Sequence, residues 1–210
     1  LLLLRGHEAA RTGAAMRPVS LEPFWAALPF APTSAQRRAA GELLGDLTKK
    51  TPMNRLLQGD VGSGKTAVAA ALVYSAAKNG LQSAMMAPTE VLAEQHYRTF
   101  QKFFQNTDFS VVFLTGSMRA AEKRAAKEKL QSGEAVLAVG THALIQEDVD
   151  FRRLGLCITD EQHRFGVAQR ANLTDKGDNP HILVMSATPI PRTLGLILYG
   201  DLNVSVLDEL

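Results

Sequence analysis

Eight residues constrain the fold of this 210-residue chain more than any others: Gly59-Asp60-Val61-Gly62-Ser63-Gly64-Lys65-Thr66. They match G-x-x-x-x-G-K-[ST] at every fixed position. Such a loop works only between a strand and a helix. Its glycines let the backbone curl so that successive N–H groups face one point, and the helix N-terminus behind them adds positive potential there. The flanks agree: Arg55-Leu56-Leu57-Gln58 reads as a strand, and 67–77 reads as an Ala-rich helix. The ligand such a nest fits is the phosphate chain of a nucleotide. All eight residues are therefore candidate cofactor contacts. Lys65 is expected to reach the β- and γ-phosphates of ATP, and Thr66 to ligate Mg²⁺. A glycine-rich turn that matches by chance is the competing reading, and the flanking strand and helix argue against it. Alone, the motif does not separate a kinase from a transporter or a motor.

The rest of the chain repeats the strand–helix alternation. Apolar runs lie at 56–57, 84–87, 111–114, 135–139, 154–158, 182–185 and 204–207, with helical patterns near 33–49, 65–79, 90–105, 118–131, 163–173 and 190–199. This spacing predicts βαβ units and a mostly parallel central sheet flanked by helices on both faces, an α/β fold in three layers. Residues 1–20 read as the tail of a helix from a preceding domain followed by a linker, and 21–210 as the globular domain. The chain starts with Leu, which suits a piece of a longer protein.

Composition excludes more than it assigns. A net charge of +2 and 46% apolar residues are ordinary for a globular domain, and any basic footprint has to be local. No apolar run approaches the roughly 20 residues that span a bilayer. The single cysteine, Cys157, sits in an apolar run, so a disulfide framework is excluded and a buried thiol in a reducing, cytoplasmic compartment is expected.

A second acidic site follows one of the apolar runs: Leu154-Gly155-Leu156-Cys157-Ile158-Thr159-Asp160-Glu161. Ligands of open α/β sheets bind beyond the carboxyl ends of the strands. Asp160 would thus arrive where Mg²⁺ sits, and Glu161 where it orients or deprotonates the attacking water. Thr159 is a departure, because an apolar residue is usual there, and it should weaken the strand's packing modestly. A solvated acidic turn is the bland alternative, and the phosphate loop upstream weighs against it.

Asp160-Glu161-Gln162-His163 resembles the D-E-x-H box of superfamily 2 helicases. The following Arg164-Phe165-Gly166-Val167, with Gln169-Arg170, is similar to the RecG family of ATP-dependent DNA helicases. The transcription-repair coupling translocase and the replication-restart helicase PriA share a similar box but typically carry Glu where this chain has Gln162. Other motifs of the superfamily follow in order. Ala87-Pro88-Thr89-Glu90-Val91-Leu92-Ala93-Glu94-Gln95-His96 resembles the first DNA-backbone motif, Thr115-Gly116-Ser117 the next, and Gly140-Thr141-His142-Ala143 the third. Ser186-Ala187-Thr188-Pro189 resembles the motif that couples the ATP and DNA sites, and Leu28-Pro29-Phe30 with Thr33 and Gln36 the adenine-recognising segment.

The resemblance implies a RecA-like P-loop NTPase fold and catalytic roles for Lys65, Asp160, Glu161, Gln162 and His163. It also implies nucleotide contacts at Phe30 and Gln36, and DNA contact or coupling at Pro88, Thr89, Gly116, Thr141, His142, Ser186 and Thr188. Thr89 and Thr141 would each offer a hydroxyl and backbone N–H groups at a helix start, which can hold a phosphate without reading sequence; a simple N-cap is the plain alternative. The implied activity is ATP-driven remodelling of branched DNA, with a second RecA-like lobe and a wedge domain as partners. Neither partner is expected within these residues, so the chain alone should hydrolyse ATP poorly. A nucleotide switch, a small-molecule kinase or a silent binding domain remain the readings from other classes.

Overall fold

The structure, a computed structural model, describes residues 13, 15–161, 167–188 and 202–208. The apolar runs form seven strands: β1 (Asn54–Gly59), β2 (Gln82–Met86), β3 (Ser110–Leu114), β4 (Ala135–Gly140), β5 (Leu154–Glu161), β6 (His181–Ser186) and β7 (Asn203–Leu207). All pair in parallel in one sheet of order β3-β4-β2-β5-β6-β1-β7. The helices are α1 (Glu22–Ala27), α2 (Ser34–Leu47), α3 (Lys65–Lys78), α4 (Glu90–Phe104), α5 (Ala120–Ser132) and α6 (Val167–Thr174), with a 3₁₀ turn over His142–Ile145. The helix expected near 190–199 lies outside the described residues.

The strands are apolar on both faces because both faces are covered. Successive side chains alternate: Leu156 and Ile158 join one core with Met85, Leu57 and Leu183, while Cys157 joins another with Ala84, Met86 and Ala138. The first core is roofed by α1, α2, α3 and α4. The second is roofed by α5, α6 and the 3₁₀ turn. Helix α3 lies inside the first layer, and every residue of 67–76 is buried. Its alanines let α3 sit close to both the sheet and α2. Filling its sides with Val68, Leu72 and Val73 contributes about 1.5–3 kcal/mol for each side chain.

Two local devices fix the phosphate-loop end of this layer. Thr33 and Gln36 form a capping box that starts α2, with Gln36 N donating to Thr33 Oγ1 at 3.2 Å and Thr33 N donating to Gln36 Oε1 at 3.1 Å. Gly140 ends β4 where a side chain would meet the Leu114 carbonyl oxygen at 2.0 Å, so the β3–β4 pairing requires glycine there. Helix α1 went unread in the sequence. It is a six-residue turn carrying a proline in its first turn, held by Phe24 and Trp25, whose rings lie 5.1 Å apart. Phe24 also packs on Tyr74 at 5.5 Å, so these aromatics are core residues. The described part of the expected linker is likewise packed: Met16 is buried and its N–H donates to Leu47 O at 2.8 Å.

Candidate functional site

The phosphate loop leaves β1 at Gly59, and α3 begins at Lys65 with Gly64 as its N-cap. Gly62 and Gly64 have φ of 87° and 82°, left-handed conformations that only glycine adopts without strain. No side chain caps α3. Lys65 folds back over the loop, its Nζ donating to Gly59 O at 2.6 Å and Asp60 O at 2.8 Å. Burial lowers the pKa of Lys65, and the nearby carboxylates of Asp160 and Asp60 partly restore it. A cation in that position gains from an anionic ligand. Gln36 reaches the same loop, its Nε2 donating to Ser63 O at 3.0 Å while packing on Gly64. The adenine-segment glutamine is thus tied to the phosphate loop itself. Phe30 is exposed, with its ring edge-on to Phe103 at 5.8 Å.

Asp160 and Glu161 end β5. Asp160 is hydrogen-bonded to a residue that the sequence placed only at the end of a DNA-backbone motif: His96 Nε2 lies 2.5 Å from Asp160 Oδ2. Asp160 and Lys65 are also near enough for the carboxylate to act on the ammonium. The backbone of Glu161 pairs with Ser186 on β6, and Ser186 pairs in turn with Gln58 of β1. Ser186 is buried, and its Oγ accepts from Thr188 N at 3.2 Å while donating to Thr188 O at 3.1 Å, a tight turn at the end of β6. Gln162, His163 and the side chain of Glu161 lie outside the described residues. Thr159 is buried, with a hydroxyl that has no hydrogen-bond partner among the described residues.

Of the three DNA-type motifs, Thr89 stands at an α-helix start as expected and Thr141 does not. Pro88 and Thr89 follow β2 at the surface; Thr89 is the N-cap of α4, its Oγ1 accepting from Leu92 N at 3.3 Å. Beside Gly116, the backbone N–H of Ser117 donates to Glu90 Oε1 at 3.1 Å while Ser117 Oγ donates to Glu90 Oε2 at 2.5 Å. The Ser117 hydroxyl and N–H hold the Glu90 carboxyl below its usual range. Lys123 closes the loop from the other side, donating to Gly116 O at 2.6 Å. Thr141 does not present its hydroxyl. Its side chain is 3% exposed, the hydroxyl is unpartnered among the described residues, and its N–H donates to Leu114 O at 3.4 Å. The reason is local: Thr141 continues β4 into a four-residue 3₁₀ turn packed against β2, β4 and α6, so no α-helix N-terminus forms. His142, the next residue, is exposed.

The strand order sorts these motifs in space. In the chain they alternate: phosphate loop, three DNA-type motifs, acids, coupling motif. In the sheet β1, β6 and β5 are neighbours, and β2, β4 and β3 are neighbours. All the motifs leave carboxyl ends of strands, with phosphate-loop and acidic residues on one half of that edge and DNA-type residues on the other. Met86 pairs with Thr159 at the seam between the halves.

A family model described as DEAD/DEAH box helicase matches residues 33–197. The chain belongs to the DEAD/DEAH box helicase family. It is 57% identical over 190 residues to the ATP-dependent DNA helicase RecG of Synechocystis sp., covering 90% of this chain and 23% of that protein. The RecG helicase of Bacillus subtilis is 52% identical over 187 residues, covering 89% of this chain and 27% of that protein. A solved structure of RecG bound to a three-way DNA junction superposes with a TM-score of 0.81 at 44% identity, over 93% of this chain and 27% of that one. The helicase MrfA bound to DNA shares the fold, with a TM-score of 0.70 at 18% identity over 92% of this chain and 31% of that chain. This helicase-family chain thus spans about a quarter of the length of the RecG proteins it matches, the part that forms their first motor lobe. Nucleotide use comes with the family. Among the described residues, no helix is long and apolar enough to cross a membrane.

Proposed function

We propose that the chain is the ATP-binding motor lobe of a RecG-like DNA helicase of the cytoplasm, coupling ATP hydrolysis to remodelling of stalled forks and Holliday junctions in recombination and repair. The observation that carries this reading is the sorted carboxyl edge: phosphate loop, acids and Ser186 on β1, β5 and β6, with Thr89, Gly116 and His142 beside them on the β2, β3 and β4 side. Residues 21–210 act as the ATP-binding unit, and 1–20 arrive from a preceding domain.

The residues present fit Mg²⁺ with a nucleoside triphosphate. Gly62 and Gly64 open the loop, α3 offers an uncapped N-terminus, and Lys65 already holds a site lined by carbonyls and faced by Asp160. Thr66 and Asp160 would hold Mg²⁺, whose chemistry when bound is to neutralise charge on the β- and γ-phosphates. Lys65 leaves the carbonyls of Gly59 and Asp60 to meet the phosphates. Gln36 lies near the adenine and holds Ser63 of the phosphate loop in place. Glu161 takes the proton of the attacking water. A second RecA-like lobe supplies arginine to the γ-phosphate, an interaction worth about 10³–10⁵ in rate in related phosphoryl transfers, and a wedge domain engages the junction.

Calorimetric titration with Mg-ATP tests the site. The unaltered chain should bind, and Lys65→Ala should abolish binding by removing the side-chain cation that meets the phosphates. Equal affinity in both would contradict the assignment.

A further inference from the structure

Between the two halves of the sorted edge runs one side-chain contact that neither motif set accounts for. His96 lies on α4, whose N-cap Thr89 opens the DNA-type half, and Asp160 ends β5 on the nucleotide half. Their side chains meet at 2.5 Å across the β2–β5 seam, 64 residues apart in sequence. Both are largely enclosed, with side-chain exposures of 13% and 16%. An ionised carboxylate only accepts, so Nε2 carries the hydrogen and donates it to Oδ2.

We infer that His96 is a positioning residue for Asp160, fixing the carboxylate so that its second oxygen is left for the metal, and tying that carboxylate to the helix that carries the DNA motif. This rests on the reading of Asp160 as the metal-holding acid. The bond engages Oδ2 and, among the described residues, leaves Oδ1 available, the division of labour seen where an outer hydrogen bond orients a carboxylate ligand. His96 itself is held firmly. Its helix is seated by Phe100, Phe103 and Phe104, all buried in the first core. Thr89 precedes His96 by seven residues, about 10 Å along the helix axis. A shift of α4 when DNA meets its N-terminus therefore reaches Asp160 through a single hydrogen bond.

The test is the Mg²⁺ concentration that half-saturates tight ADP binding by the chain, followed by calorimetry, with Mn²⁺ spectroscopy as a direct count of bound metal. His96→Ala should raise that midpoint about 10-fold or more, leave ADP affinity in chelator unchanged, and be largely rescued by His96→Gln, whose amide keeps a donor. His96→Phe, which keeps the ring volume without a polar atom, reads the same loss should the alanine variant not fold. Asp160→Asn is the reference. If it raises the midpoint while the His96 variants leave it unchanged or lower it, the positioning role is overturned. A loss of ADP affinity in chelator equal to that in Mg²⁺ would mark His96 as a structural brace and overturn the role as well. A midpoint unmoved by Asp160→Asn would instead overturn the metal reading beneath it.

Discussion

Thr159 shows how one atom can be out of place in an otherwise consistent strand. It lies between Met86 and Val184 in the sheet, buried, with a hydroxyl that finds no partner among the described residues. Burying an unpaired hydroxyl costs about 1–3 kcal/mol. Thr159→Val keeps the shape and removes the polar atom, so it should stabilise the fold by about 1 kcal/mol against denaturant. A destabilised Val variant would mean that the hydroxyl has a partner in solution. The unusual residue before the acids was visible in the sequence; the unsatisfied hydroxyl was not, because it depends on what stands opposite in β2 and β6. Thr141 carries the same lesson. Its spacing after an apolar run suggested a surface hydroxyl at a helix start, but the alternation of the strand continues through it and turns the side chain inward. His96 was readable as part of a motif, yet its partner is 64 positions away. No local pattern reports a contact of that kind.

Between elements, two charged contacts hold opposite ends of the lobe: one lies at the amino-terminal start of β1, the other at the carboxyl edge. Asp46 of α2 meets Arg55 of β1 at 2.6 Å, with side-chain exposures of only 7% and 13%. Burial pushes the Asp46 carboxyl up, but hydrogen bonds from Lys49 and Arg55 outweigh it, and the net effect holds the group below its ordinary value of 3.8. A carboxyl held low stabilises the fold above that value, and the contribution disappears as pH falls through the folded-state pKa. Stability should therefore fall as acid is added below pH 3.8. Asp46→Asn should cost about 3 kcal/mol at neutral pH and flatten that acid limb in urea titrations run across pH. An unchanged limb would show that other carboxylates govern it. At the carboxyl edge, Glu90 occupies the N–H and hydroxyl of Ser117, which under the proposed function would face a DNA phosphate. Glu90→Gln removes a negative charge from that edge and should tighten single-stranded DNA binding severalfold at low salt, an advantage that fades as salt screens it. Fluorescence anisotropy over a salt series reads this, and weaker binding by Glu90→Gln would place DNA elsewhere. The helices themselves were legible because each carries its own signal: Thr33 with Gln36 starts α2, Thr89 starts α4, and Gly133 ends α5 in a left-handed turn. Helix α1 lacked such a signal. Six residues with a proline in the first turn are held by the core beneath them and by Arg37, whose Nη1 donates to Glu22 Oε1 at 2.8 Å.

At the scale of the whole molecule, the parallel α/β sheet followed from the regular alternation of apolar runs with helical patterns, and all seven runs became strands. The strand order did not follow from them. Periodicity says which residues pair with a sheet but not which strand is the neighbour, and it is the order β3-β4-β2-β5-β6-β1-β7 that gathers the motifs into two adjoining halves. That arrangement is what the proposed function rests on: one lobe of an ATP-driven DNA motor. Under the proposed function Mg²⁺, Lys65 and loop N–H groups would face the transferring phosphoryl, and a second lobe would bring the arginine that neutralises transition-state charge and the wall that excludes water. The measurement that tests this most directly is steady-state ATP turnover, with and without branched DNA, by the purified chain and by the same chain joined to the second lobe of a RecG-type relative. Almost no turnover is expected from the chain alone, and DNA-stimulated turnover at least about 10³ faster from the joined protein. Robust DNA-stimulated hydrolysis by the chain alone, or turnover in the joined protein that ignores DNA, would contradict it.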